Sequence, residues 1–264
     1  MLMDGLPVLI GALTGFVVGL TGVGGGAIMT PALILFAGVP PSLAVGTDLW
    51  FAAATKTCAT VVHRRQGQID WGIARYLWLG SLPTAAVVAL LVASGAGMGK
   101  VTWLTQAIAI AVAATGVGLL KTSAKSHSAQ SDPARRSHWW PNAESHGAWL
   151  TVTAGGVIGA CVTLTSVGAG ALGTLALLHL YPKRLTSLRV IATDIVHAIP
   201  LAAVAGTAYA SQGFVDYRLL VLLLAGSIPS TLIGSLLAHR FNARALRIGL
   251  GAMLLVVAVK TIPL

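Results

Sequence analysis

Charge is what this chain has least of. Asp, Glu, Lys and Arg make up only 9% of its 264 residues, where a soluble domain carries about 25%. Hydrophobic residues reach 56% and mean hydropathy is +0.84, which excludes a soluble globular protein. Cysteine is nearly absent. Cys58 and Cys161 both lie in apolar segments, and neither has a Cys or His at metal-ligand spacing. They read as small core residues, and no metal or other cofactor is expected. No basic stretch precedes the first apolar run (Met1-Leu2-Met3-Asp4), so a cleaved signal peptide is not expected.

What is present is a set of long apolar runs. Residues 78–98, 101–120 and 219–238 carry no charge at all, and 245–259 carry only Arg247. About 20 apolar residues cross the hydrocarbon core, so these runs predict transmembrane helices. Ten apolar elements are expected, five per half: 6–21, 25–38, 42–62, 72–94 and 101–120, then 147–164, 168–181, 187–210, 218–238 and 244–262. The second element of each half is short and follows a glycine-rich break. It is expected either to cross or to re-enter, since irregular backbone at membrane depth needs protein or a water-filled cavity around it.

The halves are copies of each other, 146 residues apart. Gly22 and Gly24 recur as Gly168 and Gly170, and Thr47-Asp48 as Thr193-Asp194. Gln66-Gly67 and Asp70 recur as Gln212-Gly213 and Asp216, and Gly80-Ser81 and Pro83 as Gly226-Ser227 and Pro229. Duplicated hydrophobic halves are typical of secondary transporters, which build a site near the midplane where the halves meet. The division is a first repeat at 1–120, a linker at 121–146 and a second repeat at 147–264. The linker is serine-rich and basic with little apolar content, which argues against a packed domain.

Basic residues set the orientation. Arg64, Arg65, Arg75, Lys121, Lys125, Arg135, Arg136, Lys183, Arg184, Arg189, Arg240, Arg244 and Arg247 hold thirteen of the seventeen positive charges on one side. That side, with the linker, is expected to be cytoplasmic. The net charge of +10 is thus accounted for by membrane orientation, and nucleic acid is not an expected partner. The loop after element three is basic, whereas its repeat partner at 210–216 has no Lys or Arg. The same motif then faces opposite sides in the two halves. The expected fold is an all-α polytopic membrane protein of two inverted-topology repeats with broken or re-entrant helices. If elements one and two fused into one crossing, the repeats would be parallel and two basic clusters would fall outside, against the rule. Trp71, Trp103, Trp139, Trp140, Trp149 and Tyr217 fall near element ends, as interfacial anchors do.

Four constellations could carry chemistry. Thr21-Gly22-Val23-Gly24-Gly25-Gly26 lets the backbone leave helical geometry, and a helix restarting there points its positive dipole end at an anion. Thr165-Ser166-Val167-Gly168-Ala169-Gly170 is its counterpart and adds hydroxyl donors. Close helix packing is the alternative reading for both. Asp48 and Asp194, beside Thr47 and Thr193, are ionisable groups inside the bilayer and by default functional. Each lies roughly two turns into its element, one entering from outside and one from inside, which is expected to bring both near the midplane. They are the candidates for proton coupling, with capping as the alternative. Lys56 and His197 complete the set. Lys56 either attracts an anion or snorkels to the surface; it stands eight residues from Asp48, about 12 Å along a helix. His197, three residues past Asp194, shares its face; the alternative is a core histidine donating to a carbonyl. A Ser166–His197 hydrolase lacks a G-x-S-x-G arrangement, so no enzyme activity is expected.

Gly22-Val23-Gly24-Gly25-Gly26 with Pro31, then Gly46-Thr47-Asp48, then Gln66-Gly67-Gln68-Ile69-Asp70-Trp71 resemble the TauE/SafE family. Thr165-Ser166-Val167-Gly168-Ala169-Gly170, Thr193-Asp194 and Gly226-Ser227-Ile228-Pro229 resemble its second half, with Ala192 standing where the first half has Gly46. The resemblance covers nearly the whole chain apart from the linker. It implies a multi-pass transporter of the bacterial inner membrane that exports or exchanges small anions such as sulfite, sulfonates or related organosulfur compounds. The expected partners are the anion, protons and the lipid bilayer. An anion channel, a non-sulfur substrate and a homo-oligomer stay open.

Overall fold

The computed structural model describes residues 2–21, 26–65, 69–94, 143–167, 170–181 and 185–237, with isolated helical positions between 106 and 120 and between 248 and 259. Eight helices are resolved among them. The first four are α1 (Leu2–Thr21), α2 (Gly26–Phe36), α3 (Pro41–Arg65) and α4 (Trp71–Ala93). The others are α5 (Ala143–Thr165), α6 (Ala171–Leu180), α7 (Ser187–Ser211) and α8 (Tyr217–Leu237). Eight of the ten expected elements appear where the apolar runs place them. The fifth and tenth, at 101–120 and 244–262, fall largely outside the described residues, as does most of the linker. α5 takes in the last few residues read as linker.

Four described helices are long and apolar enough to cross a membrane: 71–92, 148–165, 189–211 and 217–234. α3 has the length, but Asp48, Lys56, Arg64 and Arg65 lower its hydropathy. It is instead an interior helix, paired with α7. α2 has 11 residues and α6 has 10, about 15 Å each at 1.5 Å per residue, roughly half of a 30 Å hydrocarbon core.

Where they are described, the repeated loop motifs are helix punctuation; Gln66-Gly67 lie outside the described residues. After α7, Gly213 takes φ +74°. Its N–H donates to the Ala210 carbonyl (3.0 Å) and the Phe214 N–H to the Tyr209 carbonyl (2.8 Å), the double bond of a Schellman stop. Asp216 then starts α8 by accepting from the Leu219 N–H at 2.9 Å, and Asp70 starts α4 by accepting from the Ile73 N–H at 3.2 Å.

Packing exchanges helices between the halves. α1 lies along α8, and α5 along α4. Glycines let these backbones approach. A Cβ on Gly80 would strike the Val152 carbonyl, one on Gly226 the Val8 carbonyl, and one on Gly159 the Ser81 carbonyl (2.5 Å). Numbering rises together along both pairs (Gly11 on Leu223, Gly15 on Ser227, Gly234 on Phe16; Gly155 on Leu77, Gly159 on Ser81), so each pair runs parallel. α3 and α7 instead run in opposite directions. Gly46 at the start of α3 meets Tyr209 and Phe214 at the end of α7, and the Trp50 indole N–H donates to the Gly206 carbonyl at 3.1 Å.

The polarity is inside out relative to a water-soluble fold. Leu79, Leu90, Trp149, Val157, Val221 and Leu232 are exposed, while Thr47, Asp48, Lys56, Ser81, Thr193, Asp194 and His197 are buried. A surface of that kind is stable against lipid, and the polar groups gather where helices shield them.

Candidate functional site

Asp48 sits seven residues into α3 and Asp194 seven residues into α7. Because these helices run in opposite directions, the carboxylates enter from opposite ends, each about 10 Å from its helix start. Both are fully shielded, at 0% and 2% exposure.

Their surroundings differ. The Thr30 hydroxyl, from α2, donates to Asp48 Oδ2 at 2.5 Å. The Ser166 hydroxyl also bears on the Asp48 carboxylate, without a hydrogen bond of full geometry to any group. Ser166 ends α5 with φ 55°, a left-handed conformation costly for a residue with a side chain and concentrated at functional sites. Asp194 instead lies on the first turn of α6, where a Cβ on Gly173 would collide with Asp194 Oδ1. Gly173 is thus glycine because the carboxylate occupies that space.

Lys56 is 5% exposed, so it is held inside rather than snorkelling out. Fifteen residues into α3, it lies about 9 Å along the helix beyond Trp50, which meets Gly206 of α7. It lies in the field of both Asp194 and Asp48, Asp194 the stronger, and its own charge bears on His197. His197 is fully buried. Its Nε2 shares a 2.8 Å hydrogen bond with Ser81 Oγ of α4, and its carbonyl accepts from the Trp78 indole N–H at 3.1 Å.

Thr47 and Thr193 are the clearest mark of the repeat. The Asp216 N–H donates to Thr47 Oγ1 at 3.1 Å, and the Asp70 N–H donates to Thr193 Oγ1 at 3.0 Å. Each threonine thus ties its helix to the loop that opens the last long described helix of the other half. Thr165 turns its hydroxyl to the Cys161 carbonyl (2.7 Å) and the Val167 N–H (3.1 Å), shaping the end of α5. Gly170 caps α6 without a side-chain hydrogen bond, and Gly26 opens α2. The Thr21 side chain and Gly22, Gly24, Gly25 and Gly168 lie outside the described residues.

Four buried side-chain atoms have no hydrogen-bond partner within the described protein: Asp48 Oδ1, Ser166 Oγ, Asp194 Oδ1 and His197 Nδ1. An orphaned buried polar atom costs about 1–3 kcal/mol and is rare in a native interior. All four belong to residues singled out in the sequence: Asp48 and Asp194 by the repeat, Ser166 by its glycine-break motif and His197 by its place three residues past Asp194. Sequence reasoning missed Thr30, Ser81 and Gly173. Thr30 and Gly173 have no repeat counterpart of like type (Ala176 and Ala27), and Ser81 was visible only as part of the repeated Gly-Ser-x-Pro. No group of His, Cys, Asp or Glu suited to a metal occurs among the described residues.

Residues 7–261 match the family described as Sulfite exporter TauE/SafE. The chain is 35% identical over 257 residues to "Probable membrane transporter protein YjnA" of Bacillus subtilis (strain 168), covering 97% of this chain and 98% of that one. It is 26% identical over 246 residues to a "Probable membrane transporter protein" of Xylella fastidiosa (strain 9a5c), covering 88% and 84%. No solved structure matches.

Proposed function

From the premise that the chain belongs to the Sulfite exporter TauE/SafE family of membrane transporters, we propose that it carries small anions, such as sulfite, sulfonates or related organosulfur compounds, by alternating access. The observation that carries this is the set of four orphaned polar atoms on Asp48, Ser166, Asp194 and His197, with a buried lysine in the field of both aspartates. Ser166 and the two glycine breaks, with Thr21, are positioned by motif to contribute donors. Asp48 or Asp194 carries the coupling proton. The opposite courses of α3 and α7 and the exchanged threonine bonds support inverted repeats, since equivalent helices related by an axis in the membrane plane must run in opposite directions. The bacterial inner membrane is what the family implies, and the charge asymmetry supports basic loops and a linker on the cytoplasmic side. His197 shares its hydrogen bond with Ser81, while Ser166 stands at Asp48, which does not favour a Ser166–His197 nucleophile pair.

The test is reconstitution in liposomes with flux of sulfite, sulfoacetate and a carboxylate control, with and without a pH gradient. Saturable, gradient-dependent flux of a sulfur anion is expected. Ohmic current without saturation would mean a channel, and flux of the carboxylate alone would remove the sulfur substrate.

A further inference from the structure

The repeat symmetry fails around the two aspartates. Lys56 has Ala202 as its counterpart, His197 has Phe51, Thr30 has Ala176 and Gly173 has Ala27. Asp48 therefore has a hydroxyl donor of its own. Asp194 has an orphaned Oδ1, a bare glycine turn beneath it and the stronger hold on the field of Lys56. The two carboxylates occupy equivalent positions but not equivalent environments.

Charge arithmetic then constrains binding. With Lys56, Asp48 and Asp194 all ionised, the enclosed cluster carries one net negative charge. A monovalent anion arriving at Lys56 would raise that to two, in a place where burial penalises every unpaired charge. A proton arriving with it restores the original balance. Asp48, already served by Thr30, has less to gain from that proton than Asp194, whose single cationic neighbour the incoming anion takes over. Among the described residues, the charged group that bears on Asp194 is Lys56 from α3. His197 stands one turn further along α7, held by Ser81 of α4, and Gly173 of α6 lies against the carboxylate.

We propose that Asp194 and the substrate anion compete for Lys56, so that one anion binds together with one proton on Asp194 and the two cross in the same direction. His197 Nδ1, left unpaired while Nε2 is engaged by Ser81, supplies the anion's second contact. This rests on the anion-carrier reading and assigns the coupling residue within it. Net direction then follows the sum of the anion and proton gradients.

The experiment has two arms on the full chain. In detergent, binding of methanesulfonate, a monoanion throughout the range, is titrated across pH. Wild-type affinity is expected to fall tenfold per pH unit once Asp194 ionises, as release of one proton requires, while Asp194→Asn binds with the wild type's low-pH affinity at every pH. In liposomes containing a pH dye, an inward methanesulfonate gradient is expected to acidify the lumen with wild type. With Asp194→Asn the anion moves without protons. Gly173→Ala, whose methyl must displace the Asp194 carboxylate but no backbone, is expected to shift the wild-type pH profile, which covers the case of an Asp194→Asn protein that does not fold. Lumen alkalinisation, or a pH profile unchanged in both Asp194→Asn and Gly173→Ala, overturns the assignment while leaving the carrier intact. Absence of binding and flux for every sulfur anion overturns the carrier reading and this inference with it.

Discussion

Thr47 and Thr193 present a sharp choice, because their hydroxyls are spent on the other half's backbone. Thr→Val keeps the shape and removes the acceptor, leaving the Asp216 or Asp70 N–H without its partner. Orphaning a buried donor costs about 1–3 kcal/mol, while interhelical hydrogen bonds in membranes average nearer 0.6 kcal/mol. Both N–H groups are only partly buried, so about 1–2 kcal/mol each is expected. At roughly 2–4 °C per kcal/mol for a chain of this size, each single variant loses about 2–8 °C. The two sites share no partner, so the double variant is expected to lose the sum. The assay is thermal unfolding in detergent, beside KM for anion flux. Equal destabilisation by Thr47→Val and Thr193→Val, with KM unchanged, is the structural outcome. An unchanged melting temperature with a KM raised tenfold or more would refute this reasoning and return both threonines to the substrate.

Three further predictions follow from the same geometry. Pro40 and Thr186 are repeat equivalents and both exposed; in a chain whose Cys58 and Cys161 have been replaced, Pro40→Cys is expected to react with an impermeant maleimide from outside the cell and Thr186→Cys only after lysis, and equal labelling would establish parallel repeats. Gly80→Ala and Gly226→Ala each drive a methyl onto a neighbouring carbonyl, so each is expected to destabilise by about 1–3 kcal/mol, read as a lower melting temperature; a wild-type value would show that the helices are not in close contact. Thr30→Val removes the hydroxyl that donates to Asp48 Oδ2 and is expected to cut anion flux severalfold with normal membrane insertion, whereas wild-type flux would make that bond incidental.

Much of the fold was legible because lipid imposes simple rules. An uncharged run of about 20 residues has one stable form in a bilayer, so most helix positions followed from composition alone. The basic loops and the 146-residue repeat identified which segments are equivalent. Repetition could not say what a repeated residue does. Asp70 and Asp216 recur because each starts a helix, and Gln212-Gly213 stops one. Thr47 and Thr193 recur because each half binds the other's backbone. Asp48 and Asp194 recur and then diverge.

By itself the sequence determined that this is a membrane protein of two homologous halves, which residues lie in the bilayer at a cost, and which family it belongs to. Those properties are written in local composition and spacing. Only the tertiary structure decided that α1 pairs with α8 and α4 with α5, that Gly173 lies against Asp194, and that Thr30 and Ser81 reach Asp48 and His197. These are contacts between residues from about 18 to more than 200 positions apart. They depend on helix direction and register, which no local window of sequence contains.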